Sequence, residues 1–349
     1  PGRDHLSDSY HDHQSFWHSG SYEEIQVMIK SLLGPLGNIY KRHKRAFSVL
    51  LLIVILALFF IYMKGRKQDF VMLSRLSPDS IFMLCLAALV FKLALGYNFR
   101  FLISFFDIKL AFKEWFGLTG MAAMANYLLP AKAGLAAQAV YLKKEYGFRY
   151  VNYLSSMTGF YAVGFLVNAT AGAAMSSYLC LKGLDAGRSL FLLFLAVMAV
   201  AGAFLVIIYH FPKLSGRLGF LKGFLEGLKN FHGKPRKTFH LIISQVIVII
   251  AVGIRLLIAF RALGIEVDLV SSTVIALVMS FSVFISITPG NLGIKESLIM
   301  LSSSALGISP AQALMVALLD RAMDILVTFG LGYGFTYMLT SRNAVPQDS

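Results

Sequence analysis

Lys92, Lys132, Arg255, Lys295, Glu296, Asp320, Arg321 and Asp324 all fall inside or beside long apolar runs. A charge placed in a bilayer is costly, so such side chains find partners or line a polar cavity. The chemistry they offer is ionic recognition. In the C-terminal part, Arg255, Lys295 and Arg321 stand against Glu296, Asp320 and Asp324, a formally balanced set. Asp320 and Asp324 are four apart and share a helix face, while Arg321 and Asp324, three apart, are spaced to pair. Glu296 is placed to cap a helix start, to pair with Arg255 or Arg321, or to exchange a proton, with ion pairing the role expected. Lys92 and Lys132, with Arg100 nearer an interface, have no acid within their own runs. A cationic pocket without counter-charge draws an anion from outside, and in a membrane a lipid phosphate is the natural one.

Two interruptions position these charges. In FISITPGNLGIKESLI an apolar run stops at Pro289-Gly290 and resumes at once with Lys295 and Glu296. Pro289 and Gly290 end one half-helix, and Gly293 lets another begin with its amides exposed. Free N–H groups at a helix start attract phosphate or carboxylate, and Lys295 on the first turn adds a full charge. An earlier stretch, NYLLPAKAG, has the same Pro-x-x-x-Gly spacing, from Pro130 to Gly134, with Lys132 between them. Asn126, Gln138, Asn291, Thr288 and Ser286 lie near the breaks and are expected to hydrogen-bond between helices or contact a ligand.

Composition sets the environment of both breaks. The 349 residues are 57% hydrophobic and only 14% charged, with a mean hydropathy of +0.69. Several runs reach the roughly 20 residues that a helix needs to cross a bilayer, and no ten-residue alternating strands point to a barrel. The net charge of +14 suits basic cytoplasmic loops and anionic lipid rather than nucleic acid, because the cations cluster between apolar runs. Cys85 and Cys180 have neither metal-ligand nor disulfide-framework spacing. His5, His11, His13 and His18 belong to a polar stretch expected to be a solvated tail. The sequence points to no cofactor, no metal site and no catalytic motif, so a non-enzymatic protein is expected.

The expected fold is all-α: a polytopic membrane protein with two inverted-topology repeats, each holding a broken or re-entrant helix pair. Spans are expected at about 46–63, 81–106, 150–179, 189–211, 239–263 and 310–340, with broken stretches at about 115–143 and 269–307. Residues 1–45 form a polar tail or the remnant of an upstream segment, 46–211 the first repeat plus one span of the second, and 239–340 the remainder, with a short tail at 341–349. The basic segment 212–238 carries Leu214, Leu218, Leu221, Leu225 and Leu228 at helical spacing, as expected of a helix lying on the inner leaflet. Lys and Arg concentrate on the side that holds the N-terminus, which places that terminus in the cytoplasm of a multi-pass cell-membrane protein. Each repeat then has an odd number of full crossings, so the halves are inverted.

PGNLGIKES resembles the Pro-Gly-Gly-Leu-Gly-Val-Arg-Glu-Ala type motif of the lysylphosphatidylglycerol synthase transmembrane family. Pro289, Gly290, Gly293 and Glu296 match, and Lys295 stands for the usual Arg. NYLLPAKAG is similar to that family's earlier Asn…Pro-x-Arg-x-Gly motif through Asn126, Pro130 and Gly134, with Lys132 for Arg. Arg321 falls where the family tends to carry an Arg in the last span. Leu135 and Gln138 stand where the family often has an acid and an Arg, so no charged pair carries over to them. The resemblance spans about residues 46–340. It implies lipid translocation, and it does not imply lysyl transfer, since no aminoacyl-transferase domain is read in these residues.

The expected function is movement of an anionic or phosphate-bearing lipid between leaflets. Lys92, Asn126, Lys132, Gly134, Arg255, Pro289, Gly290, Asn291, Gly293, Lys295, Glu296, Asp320, Arg321 and Asp324 form the expected binding region. Membrane lipid is the expected partner. The alternatives are a transporter of a small soluble anion, or a non-transporting subunit that presents lipid to a lipid-modifying enzyme; an enzyme partner or a homo-oligomer is a further expectation.

Overall fold

The chain was analysed as a computed structural model, which describes residues 76–128, 132–210, 234–285 and 288–341. The expected first span at 46–63, both terminal tails, most of the basic segment 212–238, Pro130 and Ser286 lie outside the described residues. Those that are described belong to one compact unit, residues 66–349.

Long apolar stretches with few helix breakers become long helices. Helix α1 runs Pro78–Ile103; Ser77 caps it by accepting the Ser80 amide, and a proline occupies its first turn, where the missing N–H costs nothing. Two short helices follow, α2 at Phe112–Leu128 and α3 at Ala133–Tyr146. Helices α4 (Tyr150–Leu181), α5 (Asp185–His210) and α6 (Pro235–Ala262) are long. The second interrupted stretch gives α7 (Leu269–Ser280), two 3₁₀ turns at Phe281–Ile285 and Pro289–Asn291, and α8 (Ile294–Ala305). Helix α9 covers Pro310–Ser341. No strand occurs among the described residues.

Four of these helical stretches are long and apolar enough to cross a membrane: Pro78–Phe106, Tyr150–Leu181, Asp185–Ala203 and Pro235–Ala262. The side-chain distribution is that of a membrane protein. On α6, Ile243, Ile247, Ile250 and Ile254 are exposed while Ser244, Gln245 and Arg255 are buried. That is the reverse of a water-soluble helix, whose apolar stripe faces the core. Phe82, Leu86 and Val90 on α1 and Leu192 and Val200 on α5 are exposed in the same way.

Helices α2 and α3 fold back on each other as an antiparallel hairpin. At its open end the Tyr141 and Tyr146 hydroxyls of α3 both donate to Glu114 Oε1 of α2, at 3.2 and 2.8 Å. At its closed end Asn126 Oδ1 accepts the Gly134 amide at 2.8 Å. Between them Gln138 donates to the Leu118 carbonyl and accepts from the Tyr153 hydroxyl, so Gln138 serves packing. Gly134 is required by this approach: a Cβ there would lie 2.2 Å from the Ala122 carbonyl oxygen. With 17 and 14 residues, the two arms are about 25 and 21 Å long, shorter than the roughly 30 Å of bilayer hydrocarbon.

The second interruption is longer than Pro289-Gly290 alone implies. Regular helix ends at Ser280 and resumes only at Ile294. Side chains hold the intervening backbone: Asn291 Nδ2 donates to the Ser282 carbonyl and Thr288 Oγ1 to the Leu292 carbonyl. Helix α9 then packs along α2, α8 and α1, and α6 along α1 and α7. These contacts bring both interruptions to a common interior.

Candidate functional site

All the described helices except α5, together with both interruptions, line a central cavity of about 400 Å³. Helix α1 supplies Lys92, the last turn of α2 supplies Asn126 and Tyr127, and Lys132 comes from the first interruption. Arg255 comes from α6, Thr288, Gly290 and Asn291 from the second interruption, Lys295 from the first turn of α8, and Asp324 from α9.

Asp324 is the hub. Its Oδ1 lies 3.0 Å from Lys92 Nζ and 2.9 Å from an Arg255 terminal nitrogen, and its Oδ2 accepts the Tyr127 hydroxyl at 2.6 Å. One turn away, Asp320 takes Arg255 through both carboxylate oxygens, with Nε 2.8 Å from Oδ1 and the second terminal nitrogen donating to Oδ2 at 3.0 Å. Lys295 Nζ donates to the same Oδ2 at 3.0 Å. The Arg255 guanidinium is sandwiched against the Phe91 ring, 4.5 Å from its centroid. Lys92, Arg255, Asp320 and Asp324 are all buried, with exposures of 5% or less. Buried ions of this kind persist only when each is paired and hydrogen-bonded.

A second pair backs the first. Arg321 Nε donates to Glu296 Oε1, while its terminal nitrogens donate to the Gly290 and Asn291 carbonyls at 3.2 and 3.3 Å. The other Glu296 oxygen accepts the Gly293 amide at 2.8 Å. Arg321 therefore clamps the interrupted backbone onto α9. Gly290 makes this possible by adopting φ +59°, with the Tyr127 ring where a side chain would stand.

These contacts revise three expectations. Lys92 does not lack an acid: its partner sits on α9, so Lys92 joins the charges of the C-terminal part in one cluster. Arg321 and Asp324 do not pair; Arg321 goes to Glu296 and the Gly290 and Asn291 carbonyls, off the face that Asp320 and Asp324 turn to Arg255, and Asp324 goes to Lys92, Arg255 and Tyr127. The Gly293 amide is not left open for a ligand, since Glu296 of its own helix occupies it. Asp320 and Asp324 do share a face, and Glu296 both caps and pairs.

Lys132 stands apart. It is half-buried on the cavity wall, with its ammonium 4.6 Å from the Tyr161 ring centroid, and no carboxylate partners it among the described residues. The wall thus carries four cations, Lys92, Lys132, Arg255 and Lys295, and one carboxylate, Asp324. With Asp320, Arg321 and Glu296 behind it, the whole group has five cations against three carboxylates. Anion recognition is the chemistry that such an excess supports. No group of three His, Cys, Asp or Glu side chains placed to hold a metal occurs among the described residues.

Tyr127, Phe91, Tyr161 and Asn98 escaped the sequence reading. Tyr127 lies inside NYLLPAKAG, next to Asn126, and an aromatic hydroxyl beside a motif residue was the available signal. Phe91 and Tyr161 carry no local signal, since aromatics fill apolar runs throughout.

No curated protein and no solved structure matches the chain. Residues 46–332 match the family described as Lysylphosphatidylglycerol synthase TM region. That match covers both interruptions and all but the end of α9, including every residue of the charge cluster. The chain belongs to this family, as a membrane protein whose apolar helices enclose the polar interior of a lipid-related domain.

Proposed function

We propose that the protein is a lipid translocase that passes an anionic or phosphate-bearing headgroup between leaflets through the cationic cavity, while acyl chains remain in the surrounding lipid. The observation that carries this reading is the cavity wall: among the described residues it holds four cations, one carboxylate, and a lysine without an ionic partner, all inside a helix assembly with an apolar exterior. A phosphate entering this space meets Lys132 directly and can draw Lys295 from Asp320, which keeps Arg255 as its counter-ion. The protein acts in this reading as a carrier and not as an enzyme.

The two interruptions act as paired re-entrant elements of inverted repeats. In support, the residue two positions after each proline is a non-glycine in left-handed conformation: Lys132 with φ +55° and Asn291 with φ +56°. Such a conformation is uncommon for residues other than glycine, and finding it at matching places in Pro-x-x-x-Gly favours a common origin. Alternating access would then arise as one repeat rocks against the other. The N-terminus is cytoplasmic and the membrane is the cell membrane in this reading. Lys109, Lys113, Lys143, Lys144, Arg149, Arg236 and Lys237 all belong to the end of the assembly where α1 finishes and α6 begins, and Lys234 and Lys237 donate to the Phe105 and Ser104 carbonyls just after α1. A basic end of this kind faces the cytoplasm.

The test is translocation of a fluorescent phosphatidylglycerol in vesicles containing the purified full chain, read by dithionite bleaching. Lys132→Ala and Lys295→Ala are expected to abolish movement while the protein still melts cooperatively. Unchanged rates in both variants would remove the proposed site. Lipid binding without movement, relieved by adding an enzyme partner, would replace translocation with lipid presentation.

A further inference from the structure

We propose that the cavity selects phosphate lipids whose headgroups carry hydroxyls and turns away headgroups that carry an ammonium, an inference that rests on the carrier reading above. The first half of the argument is the state of the carboxylates. Asp324 is the only acid on the wall among the described residues, and both its oxygens are engaged, one by Lys92 and Arg255 and the other by Tyr127. Asp320 is fully covered and held by Arg255 and Lys295. Glu296 is held by Arg321 and the Gly293 amide. An arriving ammonium, whether of ethanolamine or of an aminoacyl group, meets four like charges and no free carboxylate. Like-charge juxtaposition is the repulsive element from which specificity is built.

The second half is the amide lining. Asn98, Asn126, Asn168 and Gln245 all stand on the wall. Asn98 is 1% exposed; its Oδ1 accepts from Ser244, and its Nδ2 has no partner among the described residues. Asn126 spends its Oδ1 on the Gly134 amide, and Asn168 spends its Nδ2 on Ser280. The free ends are therefore donors on Asn98 and Asn126 and an acceptor on Asn168. A hydroxyl both donates and accepts, so a polyol or a single sugar satisfies this set. A headgroup without hydroxyls leaves the buried Asn98 donor and the half-buried ends of Asn126 and Asn168 unpaired, which sites of this type penalise strongly. The cavity volume of about 400 Å³ is at the low end of the usual range for ligand sites, room for a phosphate with one small headgroup and not for an oligosaccharide.

The full chain is placed in phosphatidylcholine vesicles with acyl-labelled probes that differ only in headgroup: phosphatidylglycerol, phosphatidylmethanol, phosphatidylethanolamine and lysyl-phosphatidylglycerol. Phosphatidylglycerol is expected to move about tenfold or more faster than each of the others, the size of one lost buried hydrogen bond. Asn98→Asp keeps the acceptor for Ser244 and adds a carboxylate to the wall. It is expected to raise the ethanolamine-to-glycerol rate ratio about tenfold, a gain that damage to the fold does not produce; Asn168→Asp serves as the second variant. Equal rates for all four probes overturn the inference and leave the carrier reading standing. Movement of none overturns both. Uptake of radiolabelled glycerol 3-phosphate without lipid movement overturns the carrier reading and upholds the headgroup preference.

Discussion

Lys92 Nζ lies 3.0 Å from Asp324 Oδ1 in a setting where both side chains are less than a tenth exposed. The pair ties the first described helix to the last, and Arg255 and Tyr127 share the same carboxylate. Asp324→Ala strips all three of a common acceptor and leaves two buried cations short of charge. The expected loss is about 3–5 kcal/mol, measured as thermal stability in detergent. Lys92→Met is expected to lose less, because Asp324 keeps two partners. The double mutant should lose less than the sum of the singles; strict additivity would refute the pairing.

Gly134 sets the closeness of the α2–α3 hairpin. In Gly134→Ala the new methyl collides with the Ala122 backbone, which a side-chain rotation cannot relieve. Stability is expected to fall by about 1–3 kcal/mol or more, with faster proteolysis of the hairpin. Ala122→Gly is expected not to rescue the variant, since the obstacle is a carbonyl group. A rescue would place the contact elsewhere.

Lys132 separates function from stability. Its backbone is left-handed, a conformation glycine adopts freely, and its ammonium has a ring for a partner rather than a carboxylate. Lys132→Gly is expected to melt no lower than the parent while translocation of phosphatidylglycerol is lost. A clear drop in melting temperature would assign Lys132 a structural role instead.

Asp107, in the turn after α1, is held below the usual carboxylate range by its hydrogen bond to Lys237, then by the charges of Lys234 and Lys237. A lowered folded-state pKa means that the contribution is present above the ordinary value of about 4 and fades as the pH falls through the lowered one. Asp107→Asn, which tolerates the same left-handed backbone, should therefore differ from the parent in melting temperature near neutrality. The two should converge in strong acid. The difference is expected to be small, because the carboxylate is exposed, and a gap that widens toward low pH would contradict the sign.

Hydropathy and punctuation alone make the helices legible in the sequence. The boundaries of α1, α4, α6 and α9 fall within a few residues of the apolar runs, because a helix in lipid satisfies its own backbone and needs only a long enough apolar stretch. Pro130-x-x-x-Gly134 and Pro289-x-x-x-Gly293 located both interruptions for an equally local reason: proline removes a donor and glycine admits backbone conformations that other residues avoid. The same motif residues carried the family resemblance. Partner choice was not local. Tyr127 bonds Asp324 from 197 positions away, and the decision of Glu296 for Arg321 over Arg255 depends on how α6, α8 and α9 are rotated about their axes. Spacing along one helix says which side chains share a face, but only packing between helices says what that face meets. That is why the charges could be named in advance and their pairing, with Lys132 left over, could not.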